Sequence, residues 1–390
     1  EQLNRGGQPV ENLGVDARTW LLAHLRGGIA HEASFSIDLR PGDLDLAQPR
    51  ADMVQLDWSY RNVAADYFGE LPTVQNARGS GHINGREFRL TMDSASAGGL
   101  QLSEGSLHVA DLSAKPAILE VEFVAHGTAQ QALAVLDAKP LEFAKSLAIR
   151  PEDASGMSAT RARLRIPLHD DLTLAQIGFS TATNLADLTL LKMPDGYGVT
   201  NGAFILAVEQ DGLQMSGQGS VNGVPLQLSW KRDFQTEPDA PGDLLTIRGR
   251  ATEKQRQALG LPNLSQVRGA VDMSVSIDAY KNGTRRGAGR FDLTTAAIDL
   301  NEIAWRKASA VPAELKLTFQ TDADGGTIID YWEISGGGLN ARGSAMIDAE
   351  AGLVSLHSDE FVFGATRLMV DMTALTDGGY RLDLKGPSMD

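Results

Sequence analysis

Apolar and polar residues alternate one by one along much of this chain. An extended strand points successive side chains to opposite faces, so alternation with a period of two predicts β-strands with one apolar and one polar face. The cleanest runs of this kind lie at residues 35–39, 56–60, 88–92, 162–166, 224–230, 271–277, 315–319 and 368–372.

Glycine pairs lie between these runs. The chain has 41 glycines, and pairs such as Gly98-Gly99, Gly325-Gly326 and Gly378-Gly379 have the composition of tight turns. Short turns between alternating strands indicate antiparallel hairpins. The sequence therefore predicts a mainly β fold built from antiparallel strands, with a few short helices.

Helical signals are few and short, and they separate blocks of predicted strands. Thr128 with Gln131 and Thr252 with Gln255 each form a capping box. Asp16 is expected to cap a helix that includes Leu25 and ends at Gly27, and Pro140 suits the start of a further helix. We expect an N-terminal helix and first strands in residues 1–50, a first β-block in 51–234 with a helical insert near 129–149, and a second block in 242–390. Residues 235–242, rich in proline and acidic side chains, are the predicted joint.

One sequence frame occurs twice, 190 residues apart. Leu71-Pro72 runs to Arg78-Gly79, and Leu261-Pro262 runs to Arg268-Gly269 with the same spacing. Repetition of strand modules is more typical of a scaffold or conduit than of an enzyme.

Composition excludes several function classes. The net charge is −15, with 35 basic and 50 acidic residues, and no basic run could neutralise several phosphates in a row, so nucleic acid is not an expected partner. There are no cysteines, which excludes disulfides and thiol chemistry. No apolar stretch approaches the roughly 20 residues of a membrane helix. Because the chain begins at Glu1, we expect an excerpt of a longer protein.

Candidate catalytic chemistry is weak. The seven histidines show no helical metal-ligand spacing, and His169 lies in a predicted solvated loop. Asp322, Asp324 and Asp330 surround Gly325-Gly326, but a hairpin turn explains them better than a calcium loop. The string Gly79, Gly81 and Gly85 precedes a strand, so a dinucleotide site is not expected. We therefore expect no enzyme, no cofactor and no metal site.

Several segments, in order, resemble the YhdP-type members of the AsmA-like superfamily. The resemblance covers most of the chain and rests on the order and spacing of its segments. These are Trp20-Leu-Leu-Ala-His-Leu-Arg-Gly-Gly28, Leu71-Pro72 with Arg78-Gly79, the strand at 88–92, the hairpin at 98–112, the helical patch at 129–147, Arg163-Leu-Arg-Ile-Pro-Leu168, Gly223-Val-Pro-Leu-Gln-Leu228 and, more generically, the repeats at 336–384.

The resemblance implies an elongated, curved antiparallel sheet that forms an open groove with an apolar interior. Relatives of this kind are bridge-like lipid-transfer proteins. They are anchored in the inner membrane of Gram-negative bacteria, extend through the periplasm, and are implicated in phospholipid movement to the outer membrane. The implied partners are a phospholipid or other acyl-chain lipid and the two membranes, reached through segments outside this chain.

The apolar members of the alternating runs are the expected lipid contacts. They are Phe35, Leu56, Trp58, Phe88, Leu90, Leu164, Ile166, Leu226, Leu228, Val275, Ile277, Leu317, Phe319, Leu368 and Val370.

Three alternatives stay open. In a closed β-sandwich the same residues would be core. A secreted β-solenoid or adhesin-type binding module would show short parallel rungs. A carbohydrate-active enzyme would need paired carboxylates across a cleft.

Overall fold

A computed structural model describes residues 25–46, 50–67, 70–139, 141, 149–169, 172–193, 196–237, 239–261, 266–300, 305–375 and 379–388. The fold is mainly β, as the alternation predicts, and 21 strands belong to one long, open antiparallel sheet. The chain divides into two compact units, one ending at Gly196 (unit 1) and one beginning at Tyr197 (unit 2).

Unit 1 is an antiparallel array in which chain neighbours pair. Its strands are β1 (Leu25–Arg26), β2 (Ile29–Ile37), β3 (Val54–Ala65), β4 (Val74–Asn84), β5 (Phe88–Ala97), β6 (Leu100–Val109), β7 (Ala117–Thr128), β8 (Ala154–Leu168) and β9 (Gly178–Leu190). Helix α1 (Ala129–Asp137) connects β7 to β8, and short 3-10 turns lie at Asp43–Asp45, Pro151–Asp153 and Leu174–Gln176.

Unit 2 continues with the same antiparallel pairing of chain neighbours. Its main strands are β10 (Val199–Glu209), β11 (Gly212–Val221), β12 (Val224–Asp233), β13 (Asp243–Ala251), β15 (Val271–Ala279), β16 (Arg285–Asp292), β19 (Ala313–Thr321), β20 (Thr327–Gly336), β21 (Leu339–Asp348), β22 (Gly352–Phe363), β23 (Thr366–Ala374) and β24 (Tyr380–Ser388).

Two long connections of unit 2 contain further elements. The β13–β15 connection holds helix α2 (Glu253–Ala258) and strand β14 (Val267–Arg268), and the β16–β19 connection holds β17 (Ala297–Leu300) and β18 (Trp305–Lys307). Strands β14, β17 and β18 form a separate three-stranded sheet, called here the small sheet.

Both predicted capping boxes are confirmed. The Gln131 side chain accepts a hydrogen bond from the Thr128 backbone N–H while the Thr128 hydroxyl accepts from the Gln131 N–H, so α1 starts at Ala129. Thr252 and Gln255 form the second box at the start of α2. These motifs satisfy backbone N–H groups that have no partner inside the helix.

The predicted helix of residues 16–27 is wrong at its end. Leu25 and Arg26 form strand β1 and pair with Ala65 and Ala64 of β3. Gly27, with φ +71°, then turns the chain into β2. Residues 1–24, the predicted helix after Pro140 at residues 142–148, and residues 262–265 of the second repeated frame lie outside the described residues.

The two repeated frames occupy different structural positions. Arg78-Gly79 lies inside β4 of the main sheet, whereas Arg268 ends β14 of the small sheet. Residues 235–242 connect β12 to β13, which are hydrogen-bonded neighbours.

A series of β-bulges crosses unit 1. Five residues other than glycine adopt a left-handed backbone with φ between 52° and 55°. Each lies where the register of a strand pair shifts. A bulge inserts an extra residue, bends the strand and reverses the phase of its side-chain alternation. The five residues are Glu32, Asn62, Asn76, Glu104 and Asp187.

Two predicted alternatives disagree with this architecture. A closed β-sandwich requires a second sheet of comparable size, but among the described strands the second sheet has three members against 21. A β-solenoid requires parallel rungs, whereas the strand pairs of the described residues are antiparallel.

Candidate lipid-contact face

Cross-strand register divides the sheet of unit 1 into two faces of different chemistry. Directly opposed residues of neighbouring strands point to the same face, so a chain of register partners traces one transverse row. One row from β3 to β9 consists of Trp58, Gly81, Leu90, Leu107, Val121, Leu164 and Phe179. We call the face that contains this row the apolar face of unit 1.

The adjacent rows confirm the division. Two residues along the strands, a second row of the apolar face consists of Phe35, Leu56, Ile83, Phe88 and Val109. Between these two rows, on the opposite face, lies a row of Asp57, His82, Arg89, His108, Glu120 and Arg165. Within this polar row His82 Nδ1 lies 2.7 Å from Asp57 Oδ1.

Unit 2 repeats the division over twelve strands. One row of its apolar face, from β10 to β24, consists of Phe204, Gly217, Leu228, Ile247, Val275, Gly289, Leu317, Trp332, Gly343, Ser358, Val370 and Leu384. The neighbouring row on the opposite face consists of Gln218, Gln227, Arg248, Ser274, Arg290, Lys316, Glu333, Arg342 and Glu360.

The structure brings the predicted lipid contacts together within each unit. Phe35, Leu56, Trp58, Phe88, Leu90, Leu164 and Ile166 share the apolar face of unit 1, where Ile166 opposes Leu119. Leu226, Leu228, Val275, Ile277, Leu317, Phe319, Leu368 and Val370 share three adjacent rows of the apolar face of unit 2.

Solvent exposure varies along these faces. Phe35, on strand β2, is 62% exposed, whereas Leu226 is 5% exposed. The other thirteen predicted residues are half-buried. These residues therefore keep some contact with solvent, whereas residues of a sealed core would be fully buried.

Glycines inside the strands make room for aromatic rings, which the sequence alone did not indicate. A Cβ at Gly81 would lie 2.1 Å from Cζ2 of Trp58, and a Cβ at Gly287 would lie 2.3 Å from Cζ of Phe319. The rings therefore lie across their neighbouring strands. Trp58 reaches Phe88, with ring centroids 6.5 Å apart. The sequence could have indicated these contacts only after the strands were paired, because Gly81 is then the register partner of Trp58 and Gly287 that of Phe319.

One helix covers part of the apolar face of unit 1. Helix α1 packs Ala132 and Val135 against a buried cluster that includes Ala97, Leu100 and Ala125. Close approach is possible because Gly98 lacks a side chain, and a Cβ there would lie 2.8 Å from Cγ2 of Val135. The same cluster contains Tyr60, whose burial raises its pKa to about 12 and whose hydroxyl donates to the Thr91 carbonyl at 2.8 Å.

The apolar face of unit 2 is also partly covered, at the end of the main sheet where β13 and β16 finish. Trp305 and Ile298 of the small sheet are 1% and 4% exposed and pack against Val271, Ala313 and Leu339 of the main sheet. Leu259, which follows α2, packs against the cluster of Val224, Leu226, Ala251 and Met273. The cover therefore comes from the two long connections.

The opposite ends of these strands are joined by tight hairpins. The β15–β16, β19–β20 and β21–β22 turns lie there and contain polar residues. In the β19–β20 turn, Asp322 Oδ1 accepts hydrogen bonds from the N–H groups of Asp324 and Gly326. The predicted hairpin role of this acidic turn is confirmed.

The part of the chain that the structure describes contains no candidate metal-binding cluster. Among these residues no three His, Asp or Glu side chains are grouped so that they could hold a metal ion. None of the helices that the described residues form has the length and apolarity needed to cross a bilayer. His169 is exposed in a bend, and the neighbouring residues 170 and 171 lie outside the described residues.

Comparison with known proteins gives one family. The family model described as YhdP protein matches residues 8–390. Searches of curated proteins and of solved structures gave no match.

Proposed function

The chain belongs to the YhdP family, and from that premise we propose that it is a periplasmic segment of a bridge-like lipid-transfer protein. In this proposal the apolar faces shelter the acyl chains of phospholipids between the inner and outer membranes of a Gram-negative cell. The full-length protein is anchored in the inner membrane, and segments outside this chain contact the two membranes. The role is one of binding and conduction rather than catalysis.

One observation supports the proposal above the others. Apolar side chains occupy six of the seven positions of the unit 1 row and eight of the twelve positions of the unit 2 row, while the adjacent rows on the opposite face are polar. Neighbouring strands are separated by about 4.8 Å, so each row offers apolar contact at short intervals. In unit 2 the covering elements lie at one end of the strands, which leaves the opposite end for a headgroup in water.

The energetic reason for such a surface is the cost of moving lipid through water. Each methylene group buried is worth about 0.8 kcal/mol, so a chain of about 16 carbons costs on the order of 13 kcal/mol to expose. An apolar protein face that contacts the acyl chain along its whole length removes most of that barrier. No covalent chemistry is required for this function.

The test compares substitutions on the two faces of one strand. Leu228→Asp places a carboxylate in the apolar row, and Gln227→Asp places the same group one residue away on the polar face. We expect native mass spectrometry of the purified chain, after incubation with phosphatidylethanolamine vesicles, to detect bound lipid in the wild type and in Gln227→Asp. Leu228→Asp should retain at least tenfold less, because a carboxylate is costly to bury against an acyl chain.

A second measurement needs no substitution and so does not depend on variant folding. A phospholipid with a diazirine in its acyl chain should label peptides at Leu228, Val275 and Leu317 far more than at Arg248 and Lys316. Absence of any bound lipid in the wild type, or equal labelling of both faces, would rule out the proposed function.

A further inference from the structure

One strand in each unit carries two glycines on the apolar face. In β4 these are Gly79 and Gly81, and in β16 they are Gly287 and Gly289. One residue separates the two glycines of each pair, so both lie on the same face. We call β4 and β16 the glycine strands. At these strands the rows of apolar side chains are interrupted.

A glycine strand leaves a break in the apolar surface unless another side chain fills it. Neighbouring strands are about 4.8 Å apart, so the two strands that flank a glycine strand are separated by roughly 10 Å. Over that distance the surface would consist of peptide groups, which are polar and offer an acyl chain little apolar contact. An acyl chain that lies across the strands therefore needs the break to be filled.

The Trp58 ring fills the break at Gly81. A Cβ on Gly81 would lie 2.1, 2.3 and 2.6 Å from three atoms of this ring, so the ring lies directly over the glycine backbone. The ring comes from β3 and reaches Phe88 of β5, on the far side of β4, with the ring planes inclined by 33°. Gly81 is buried, although its neighbour Ser80 on the opposite face is exposed. The cover over Gly81 therefore lies on the apolar face.

Unit 2 fills its glycine strand in the same way. The ring of Phe319, from β19, lies over Gly287, where a Cβ would be 2.3 Å from Cζ of the ring. Gly289 is covered by the ring of Phe291, whose Cε2 would lie 2.7 Å from a Cβ at that position. Both phenylalanines are half-buried, as Trp58 is, so each ring keeps part of its surface for a further contact.

We propose that acyl chains cross the glycine strands by lying on the ring of Trp58 in unit 1 and on the ring of Phe319 in unit 2. Each ring replaces the missing side chains, so the acyl chain passes from one flanking strand to the other without contacting the backbone. The inference rests on the proposed function and adds to it a direction, because the acyl chain lies across β4 and β16 rather than along one strand.

The geometry allows the side chains of Trp58 and Gly81 to be exchanged. The three atoms nearest to a Cβ on Gly81 all belong to the Trp58 ring, so removal of the ring frees the space. In the double variant Trp58→Ala with Gly81→Leu, called here the exchange variant, a leucine of β4 itself fills the break. Gly287 does not allow such an exchange, because the carbonyl oxygen of Ser276 would lie 2.7 Å from its Cβ. Unit 2 is therefore tested with Phe319→Ala alone.

Ser80 supplies a matched control for the exchange variant. It precedes Gly81 on β4 and lies on the opposite face, where its hydroxyl oxygen is 2.7 Å from that of Thr91. The double variant Trp58→Ala with Ser80→Leu adds the same leucine to the same strand. It differs from the exchange variant in placing that leucine on the face away from the proposed acyl chain.

The experiment uses the purified 390-residue chain and phosphatidylethanolamine with a diazirine in the middle of one acyl chain, presented in phosphatidylcholine vesicles. Labelling of unit 1 peptides is measured relative to unit 2 peptides of the same molecules. We expect Trp58→Ala to lower this ratio about tenfold, which is the affinity change when roughly two methylene groups lose their contact. The exchange variant should recover most of the wild-type ratio, and the Ser80→Leu control should not. Phe319→Ala should raise the ratio, because unit 2 loses label.

The outcomes separate this inference from the proposed function. A wild-type ratio in Trp58→Ala, or equal recovery in the exchange variant and its control, would overturn the inference and leave the proposed function in place. If Trp58→Ala loses its cooperative urea transition, Phe319→Ala decides. Loss of unit 2 label at an unchanged urea midpoint then supports the inference, and unchanged label overturns it.

The wild type gives a reading that needs no variant. The label should map to Trp58 and Phe319 themselves, and label on Gly81 or Gly287 would show that the acyl chain contacts the backbone, contrary to the inference. If the wild type captures no lipid at all, the inference and the proposed function both fail.

Discussion

Lys307→Met should weaken the attachment of the small sheet to the apolar face of unit 2. Lys307 is 2% exposed, and its Nζ donates to the carbonyl oxygens of Ala296 at 2.7 Å, Val311 at 2.8 Å, Ala308 at 3.0 Å and Thr294 at 3.4 Å. Burial lowers the pKa of this ammonium group, and the nearby Asp292 partly opposes that effect. The ammonium group thus connects the backbone that precedes β17 with the backbone that follows β18.

The expected loss follows from these contacts. Methionine keeps the apolar stem but leaves buried carbonyl groups without their donor, and each such group costs about 1–3 kcal/mol. Relief from burying a charge offsets part of this sum. We expect a net destabilisation of about 2–4 kcal/mol, confined largely to the small sheet and to the Trp305 cluster that it covers.

Amide hydrogen exchange gives a local readout. A loss of 2–4 kcal/mol corresponds to roughly 30- to 700-fold faster exchange for amides that open as one unit. We expect this acceleration in β17 and β18, with much less change in β11. Lys316→Met is the control, because Lys316 is exposed and its 3.1 Å ion pair with Glu314 is of a kind worth about 0–1 kcal/mol. Unchanged protection of β17 and β18 in Lys307→Met would refute the reasoning.

Two further predictions concern unit 1 and the end of unit 2. Gly81→Val should displace the Trp58 ring and lower the free energy of unfolding by about 1–3 kcal/mol. The loss should appear as a lower urea midpoint and as a shifted Trp58 indole resonance. An unmoved resonance would contradict the packing of the Trp58 ring against Gly81. The protonated His357 ring donates hydrogen bonds to the carboxylates of Asp371, at 2.6 Å, and Asp359, and these bonds raise the pKa of His357 above its ordinary 6.5. A raised pKa in the folded state means that this stabilisation is complete below pH 6.5 and is lost as pH rises through the folded value. In an NMR titration Asp371→Asn should lower the His357 pKa, and an unchanged value would contradict the assignment.

The strands themselves were predictable because the alternation of apolar and polar residues depends only on neighbouring positions in the chain. The runs at 88–92, 224–230 and 271–277 fall within β5, β12 and β15, and both capping boxes start helices where expected. The fifteen expected contacts fall on the apolar face of their unit for the same reason. Period-two alternation specifies a face without knowledge of the partner strand.

The bulges and the strand glycines were not predictable in this way. Asn62 and Glu104 reverse the alternation of β3 and β6, and the reversal is meaningful only relative to the register of the neighbouring strand. Gly79 and Gly81 look like an uninformative glycine string in the sequence. In the structure they lie beneath Tyr60 and Trp58, which come from a different strand.

The sequence by itself determined which residues within each uninterrupted alternating run share a face, since an extended backbone turns each successive side chain by half a revolution whatever lies beside it. It also determined where the two capped helices begin. Only the tertiary structure decided that the apolar faces are partly covered, by helix α1 in unit 1 and by the small sheet in unit 2. That outcome depends on where the long connections fold and on how distant strands align, and both are set by hydrogen bonds and packing between residues far apart in the chain.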